Sequence, residues 1–201
     1  MDSTQVIAAI VLFAMNLTAL ARAFVQFAEA EIYTDEDYAI VAVAFEGLHD
    51  KSDIDSVLLV DRTSISLPPG VAGAAQTRHE AAAFFQDVPE ELRDNFSTRN
   101  RRSVKLESGR IKTPIRIILV SEEKVTTLLK SSDGWSALRE KYPKARDLFV
   151  VSRPGISRDH QYAVLYISHS CGPLCGGGTD LLLGQTHGEW KILKRGTVWE
   201  P

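Results

Sequence analysis

Two cysteines and a nearby histidine are the residues whose types and spacing could do chemistry in this chain of 201 residues. Cys171 and Cys175, the only cysteines of the sequence, lie in the segment His169-Ser-Cys-Gly-Pro-Leu-Cys-Gly-Gly-Gly178. Its glycines and proline predict a tight loop with unusual backbone angles. His169 precedes Cys171 by two residues, so on a strand the two side chains would share a face.

A disulfide between Cys171 and Cys175 is the chemistry that we expect. The flanking glycines allow the loop to close to the Cα separation of about 5.5 Å that a disulfide requires. A ring this small constrains the unfolded chain little, so its contribution to stability would be at the low end of roughly 2–4 kcal/mol. Its main effect would be to fix the shape of the loop.

Two other kinds of site remain open at this segment. A metal site would draw on two imidazoles and two thiolates, a set that suits zinc or copper. Its ligands would be His169, Cys171, Cys175 and His187, although nothing in the sequence forces His187 near the others. A reactive thiol at Cys171 is the other alternative, but redox motifs carry C-x-x-C before a helix, whereas this is C-x-x-x-C between predicted strands. A phosphate-binding loop is excluded because neither its motif nor a following helix is present.

Composition and charge exclude further classes. The formal net charge of -3 and the pI of about 6.0 create no overall attraction to nucleic acids. The stretch from Arg99 to Arg116 is basic but has no interleaved aromatic residues, so it is a poor platform for single strands. We interpret it as a solvated loop, with contact to an acidic partner, an anionic polymer or lipid headgroups as the alternatives. Motifs of hydrolases, zinc proteases and Rossmann domains are absent, so we predict no catalytic residue, no cofactor and no nucleic-acid partner.

The first thirty residues predict export. Val6–Ala21 is an apolar run of sixteen residues, short for a membrane span of roughly 20, and Ala28-Glu-Ala30 is a small-x-small cleavage pattern. These features indicate a signal peptide over residues 1–30, although the acidic Asp2 departs from the usual positive start. An uncleaved membrane anchor and a buried N-terminal helix are the alternatives. A signal peptide or an anchor would place residues 31–201, predicted to be a single domain, in a periplasmic or extracellular compartment.

The rest of the chain predicts an α+β fold. Helical periodicity occurs mostly in the first part, as at Tyr38, Val41 and Phe45. From Leu148 onward the pattern has a period of two, which predicts strands. They are Leu148–Ser152, Tyr162–Ser170, Thr179–Gly184 and Trp190–Trp199. The short connections predict an antiparallel C-terminal β-meander, with the helices packed on one face of it.

The C-terminal third also resembles a family of uncharacterised bacterial exported proteins. The segments that carry the likeness are Tyr162-Ala-Val-Leu-Tyr-Ile-Ser-His-Ser-Cys-Gly-Pro-Leu-Cys-Gly176, Leu181-Leu-Leu183 and Gly188-Glu-Trp-Lys-Ile-Leu-Lys194. In that family a strand leads into a CGPLCG loop, followed by a strand, a turn and a GxWK strand. The likeness covers the remainder of the chain only loosely. It implies a shared fold and an exported location, and it implies no activity.

These observations predict an exported, non-enzymatic domain with a binding or structural role. Its partner would be a protein or another component of the cell envelope. Contact with a membrane is expected only if the leader is not cleaved. The alternative is a metal- or thiol-dependent function that uses His169, Cys171 and Cys175.

Overall fold

A mixed β-sheet organises the chain in the computed structural model, which describes residues 32–46, 56–65, 75–76, 84–130 and 134–200. The helices within these ranges are α1 (Asp35–Glu46), α2 (Glu90–Arg99), α3 (Glu122–Leu129) and α4 (Gly134–Lys141). The strands are β1 (Ser56–Val60), β2 (Ala75–Gln76), β3 (Arg116–Val120), β4 (Ala145–Val151), β5 (Gly155–Ile156), β6 (Tyr162–Gly172), β7 (Cys175–Thr186) and β8 (Glu189–Glu200).

The strand order is β2-β8-β7-β6-β4-β1-β3, and β5 pairs with β6 beside this path. The meander of β6, β7 and β8 is antiparallel, as the sequence predicts. The turn between β7 and β8 contains His187 and Gly188, both with positive φ, of 54° and 82°. Two successive positive φ angles suit the tight turns that match the twist of a hairpin.

The sheet as a whole is not purely antiparallel, because β1 runs parallel to both β3 and β4. Parallel strands of one sheet need a crossover connection, and α3 and α4 form the one that leads from β3 to β4 on the other side of β1. All five residues of Ser56–Val60 are buried. A continuous apolar run of this kind is typical of parallel strands that are covered on both faces.

Helices pack on both faces of the sheet. On one face, Val41 and Phe45 of α1 belong to a core that includes Leu59 of β1. On the other face, Val125 of α3 packs with Leu58, the neighbour of Leu59 in β1. Successive strand residues point to opposite faces, so the prediction of helices on a single face is not confirmed.

The second helix covers the same face as α3 and α4, further along the sheet. Leu92 of α2 packs with Phe84, Val88 and Val164. Val164 lies four positions before Ser168 in β6, so the two side chains share a face. Ser168 pairs with Val150, which belongs to the core beneath α3 and α4. Residues that pair directly or alternate along a strand share a face, which places α2 on that side.

The chain divides at Ile32 into two units, and the unit from Tyr33 onward carries all the elements above. The predicted signal peptide or anchor over residues 1–30 lies outside the described residues. Across the ranges that the structure describes, none of the helices has the length and apolar character needed to span a membrane.

Candidate functional site

The turn between β6 and β7, Cys171–Cys175, is called the tip. A disulfide joins Cys171 to Cys175, and the two Cα atoms are 5.1 Å apart. Pro173 and Leu174 form the turn itself, and Gly172 is the cross-strand partner of Cys175. Leu174 is 78% exposed. The structure therefore contains the predicted disulfide, and it presents an apolar side chain at the end of the closed loop.

Helix α4 holds the tip from the side. Arg139 donates a 2.7 Å hydrogen bond from Nη2 to the carbonyl oxygen of Cys171. A charged donor makes this bond stronger than one between neutral groups. The helix itself is anchored through Leu138, which is 4% exposed. The tip is thus restrained by the disulfide and by a side chain from outside the hairpin.

A shallow cleft of about 400 Å³ lies beside the tip. The side chains that line it include His169, Thr179, Thr197 and Glu200, and its backbone surface comes from Gly176–Gly178. The ring of His169 stacks on Phe149 with the ring centres 5.6 Å apart. The cleft offers hydroxyls, an imidazole and open backbone, which are groups that bind by hydrogen bonding.

The glycines beside the tip make room for an indole ring. A Cβ atom on Gly178 would overlap the ring of Trp199, and one on Gly176 would come within 3.1 Å of the same ring. Trp199 is 1% exposed, and its indole N–H donates a 2.9 Å hydrogen bond to the hydroxyl of Tyr166. The base of the tip is therefore packed against a buried aromatic side chain.

The structure does not bring the candidate metal ligands together. His187 lies in the turn at the opposite end of β7 from Cys175, on the order of 40 Å away at about 3.3 Å per residue. The sulfurs of Cys171 and Cys175 are bonded to each other, so neither is a thiolate. Among the described residues, no group of three or more His, Cys, Asp or Glu side chains is arranged to hold a metal ion.

Asp180 is a buried carboxyl group that the sequence analysis did not single out. It lies in β7 between Tyr166 of β6 and Gly196 of β8 and is 4% exposed. Burial raises the pKa of Asp180 to about 7. The sequence feature that could have pointed to Asp180 is its position directly before the apolar run Leu181–Leu183 of a predicted strand.

A larger groove, of about 840 Å³, separates α1 from the first residues of β8. Its walls include Ala42, Val43 and Ile192, together with acidic and basic side chains in equal number. One of its cations, Arg110, already pairs with Asp35 and with Glu107. The groove therefore has no net charge that would select a ligand of either sign.

No protein-family model, curated protein sequence or solved structure matches this chain. Function is therefore inferred from the geometry of the chain itself.

Proposed function

We propose that this chain is an exported, non-enzymatic binding protein that presents the tip to a protein partner. The observation that carries the proposal is Leu174, a large apolar side chain left 78% exposed at the end of a loop that a disulfide closes. An exposed leucine on a flexible loop would lose conformational freedom on binding. A restrained loop avoids most of that loss, so it binds more tightly for the same contacts.

Several features of the tip support presentation rather than catalysis. The cysteines are joined to each other, so they do not offer a nucleophilic thiolate. His169 in the adjoining cleft stacks on Phe149, which fixes the orientation of its ring. The hydroxyls of Thr179 and Thr197 are suited to hydrogen bonding with a partner that covers the cleft.

The disulfide also supports the export part of the proposal. Disulfides persist in oxidising compartments and are rare where cellular thiols keep cysteines reduced. Export agrees with the apolar run and small-x-small pattern of residues 1–30. It also agrees with the resemblance of the CGPLCG segment to a family of exported bacterial proteins. In the alternative, a metal site would need the sulfurs of Cys171 and Cys175 as thiolates, and a reactive thiol would need a free Cys171.

Site-specific photocrosslinking in the producing cell tests the partner. A photoreactive amino acid replaces Leu174 in one variant. In a matched control it replaces Leu193, a leucine of β8 that is 57% exposed. We expect a discrete adduct with one protein from position 174 and none from position 193. The adduct should disappear when both cysteines are changed to serine. Equal labelling from the two positions, or no adduct from position 174, would overturn the proposal.

Thiol titration tests the compartment and the alternative together. The protein is isolated from its producing cells in denaturant, with and without a reductant. We expect no free thiols before reduction and two after it, from Cys171 and Cys175. Two free thiols before reduction would count against export and in favour of the thiol- or metal-dependent function.

A further inference from the structure

A connected row of side chains runs from the middle of the sheet to the base of the tip. Asp180 of β7 is the cross-strand partner of Tyr166 of β6, so their side chains leave the same face with Cβ atoms about 4.5–5.5 Å apart. The hydroxyl of Tyr166 accepts the hydrogen bond from the indole of Trp199. Trp199 in turn packs on Gly176 and Gly178. Three successive contacts thus link Asp180 to the backbone that supports the tip.

The surroundings of Asp180 suit a neutral carboxylic acid. Asp180 is 4% exposed, and its side chain makes no hydrogen bond or ion pair with another residue in the described part of the chain. On the side of β8, its neighbour is Gly196, and the ring of Phe84 occupies the space above that glycine. An apolar ring on one side and Tyr166 on the other leave Asp180 little contact with water, which disfavours the charged form. Burial accordingly raises the pKa of Asp180 to about 7.

The ionisable groups on the surrounding elements do not offset a charge on Asp180. Tyr166 on β6 is itself buried, and desolvation raises its pKa. Lys194 on β8 is an ion-pair partner of Asp87, which precedes α2, and lies over the ring of Phe84. From α2, Leu92 and Phe96 pack towards this part of the sheet. Among the residues that the structure describes, a carboxylate at position 180 would therefore have no compensating cation.

From this geometry we propose that Asp180 is a proton-operated latch for the tip. While Asp180 is neutral, Tyr166 and Trp199 stay packed and hold Gly176–Gly178 in place beneath the disulfide. When the proton is lost to solvent, the carboxylate needs water, and the face of the sheet around Tyr166 opens to admit it. That opening loosens Trp199 and the base of the tip. The part of this inference that concerns partner binding rests on the proposed function; the change in packing does not.

The indole N–H of Trp199 provides a direct test of the packing change. Its resonance is followed by NMR in the ¹⁵N-labelled full chain from pH 5 to pH 9, and it is identified by its loss in Trp199→Phe. We expect a shift and faster exchange with solvent through a transition near the pKa of Asp180. The transition should vanish in Asp180→Asn and persist in Asp87→Asn, which removes an exposed carboxylate. A resonance that does not change with pH, or a transition that survives in Asp180→Asn, would overturn the latch.

Photocrosslinking from position 174 at pH 5.5 and pH 8 separates the latch from the proposed function. We expect the yield of the adduct to fall at pH 8 in the otherwise native chain and to stay at its acidic level in Asp180→Asn. An adduct whose yield is independent of pH in both proteins would refute the latch and leave the binding role standing. A pH-dependent shift of the Trp199 resonance, with no adduct from position 174 at either pH, would refute the binding role and leave the latch standing.

Discussion

Arg99 at the end of α2 donates a 2.8 Å hydrogen bond from Nη2 to Oδ2 of Asp37, whose side chain is completely buried in the first turn of α1. The same guanidinium donates from Nη1 to the carbonyl oxygen of Pro154 at 2.6 Å. Asp37 also accepts from the backbone N–H of Thr34, while the hydroxyl of Thr34 accepts from the backbone N–H of Asp37. One ion pair therefore joins the start of α1 to the end of α2 and to the segment after β4.

Replacement of Arg99 by glutamine should destabilise the fold strongly. The change would remove the cation that is hydrogen-bonded to the buried carboxylate of Asp37, and loss of one partner of a buried pair typically costs about 3–5 kcal/mol. Urea unfolding measures the loss as a lower midpoint with an unchanged slope. Arg110→Gln is the matched control, because its ion pair with Asp35 lies at the surface and such pairs contribute little. Similar losses in the two variants would contradict a special role for the buried pair.

The start of α1 carries a signal in the local sequence, whereas this ion pair does not. Thr34 and Asp37 have the spacing of a capping motif, and that information is local. Arg99 stands 62 positions away from Asp37, at the head of a basic stretch that we interpreted as a solvated loop. Nothing in that stretch distinguishes Arg99 from its neighbours until the packing of two helices is known.

The same distinction between local and distant information explains what could be predicted of the sheet. The meander of β6, β7 and β8 was predictable because its strands alternate in polarity and are joined by short turns. The pairing of β1 with β3 and β4 was not, because Ser56 meets Arg116 and Ala145 across long stretches of chain. The tip could be found from its cysteines and glycines, whereas its contacts with Arg139 and Trp199 come from other elements.

Asp180 should make the stability of the fold depend on pH. The pKa of this carboxyl is about 7 in the folded chain and about 3.9 when unfolded. Between these values the folded state holds a proton that the unfolded state has lost, so the free energy of unfolding falls as the pH rises from about 4 to about 7. Above about pH 7 Asp180 is charged in both states, and the folded chain is then less stable by a few kcal/mol than it is when Asp180 is neutral.

The variant Asp180→Asn should remove this dependence, since an amide carries no charge at either pH. We expect the variant to be the more stable protein at pH 8 by roughly 2–4 kcal/mol, and to differ much less from the original chain at pH 4.5. Urea unfolding at the two pH values gives both comparisons. An equal difference between the two proteins at both pH values would show that Asp180 does not titrate in this range.

Gly155 in β5 should tolerate no side chain. A Cβ atom there would lie 2.7 Å from the backbone Cα of Phe96, because α2 packs directly on this short strand. The helix would have to move, so we expect Gly155→Ala to destabilise the fold by about 1–3 kcal/mol, seen as a lower midpoint of thermal unfolding. Gly172→Ala is the control, since its nearest new contact would be an ordinary 3.7 Å from Cβ of Cys175. A larger loss in the control would refute this account.

Removal of the disulfide should affect the shape of the tip more than the stability of the fold. Chain-entropy arguments assign about 2 kcal/mol to a ring of five residues, because so short a loop constrains the unfolded chain little. In Cys171→Ser/Cys175→Ser we therefore expect a modest fall in the free energy of unfolding and faster hydrogen exchange at the amides of the tip. Arg139→Gln leaves the disulfide in place and removes the hydrogen bond to Cys171, so it should raise exchange less. If the double variant unfolded outright, or if its tip exchanged no faster than before, the disulfide would not be the element that keeps Leu174 in position.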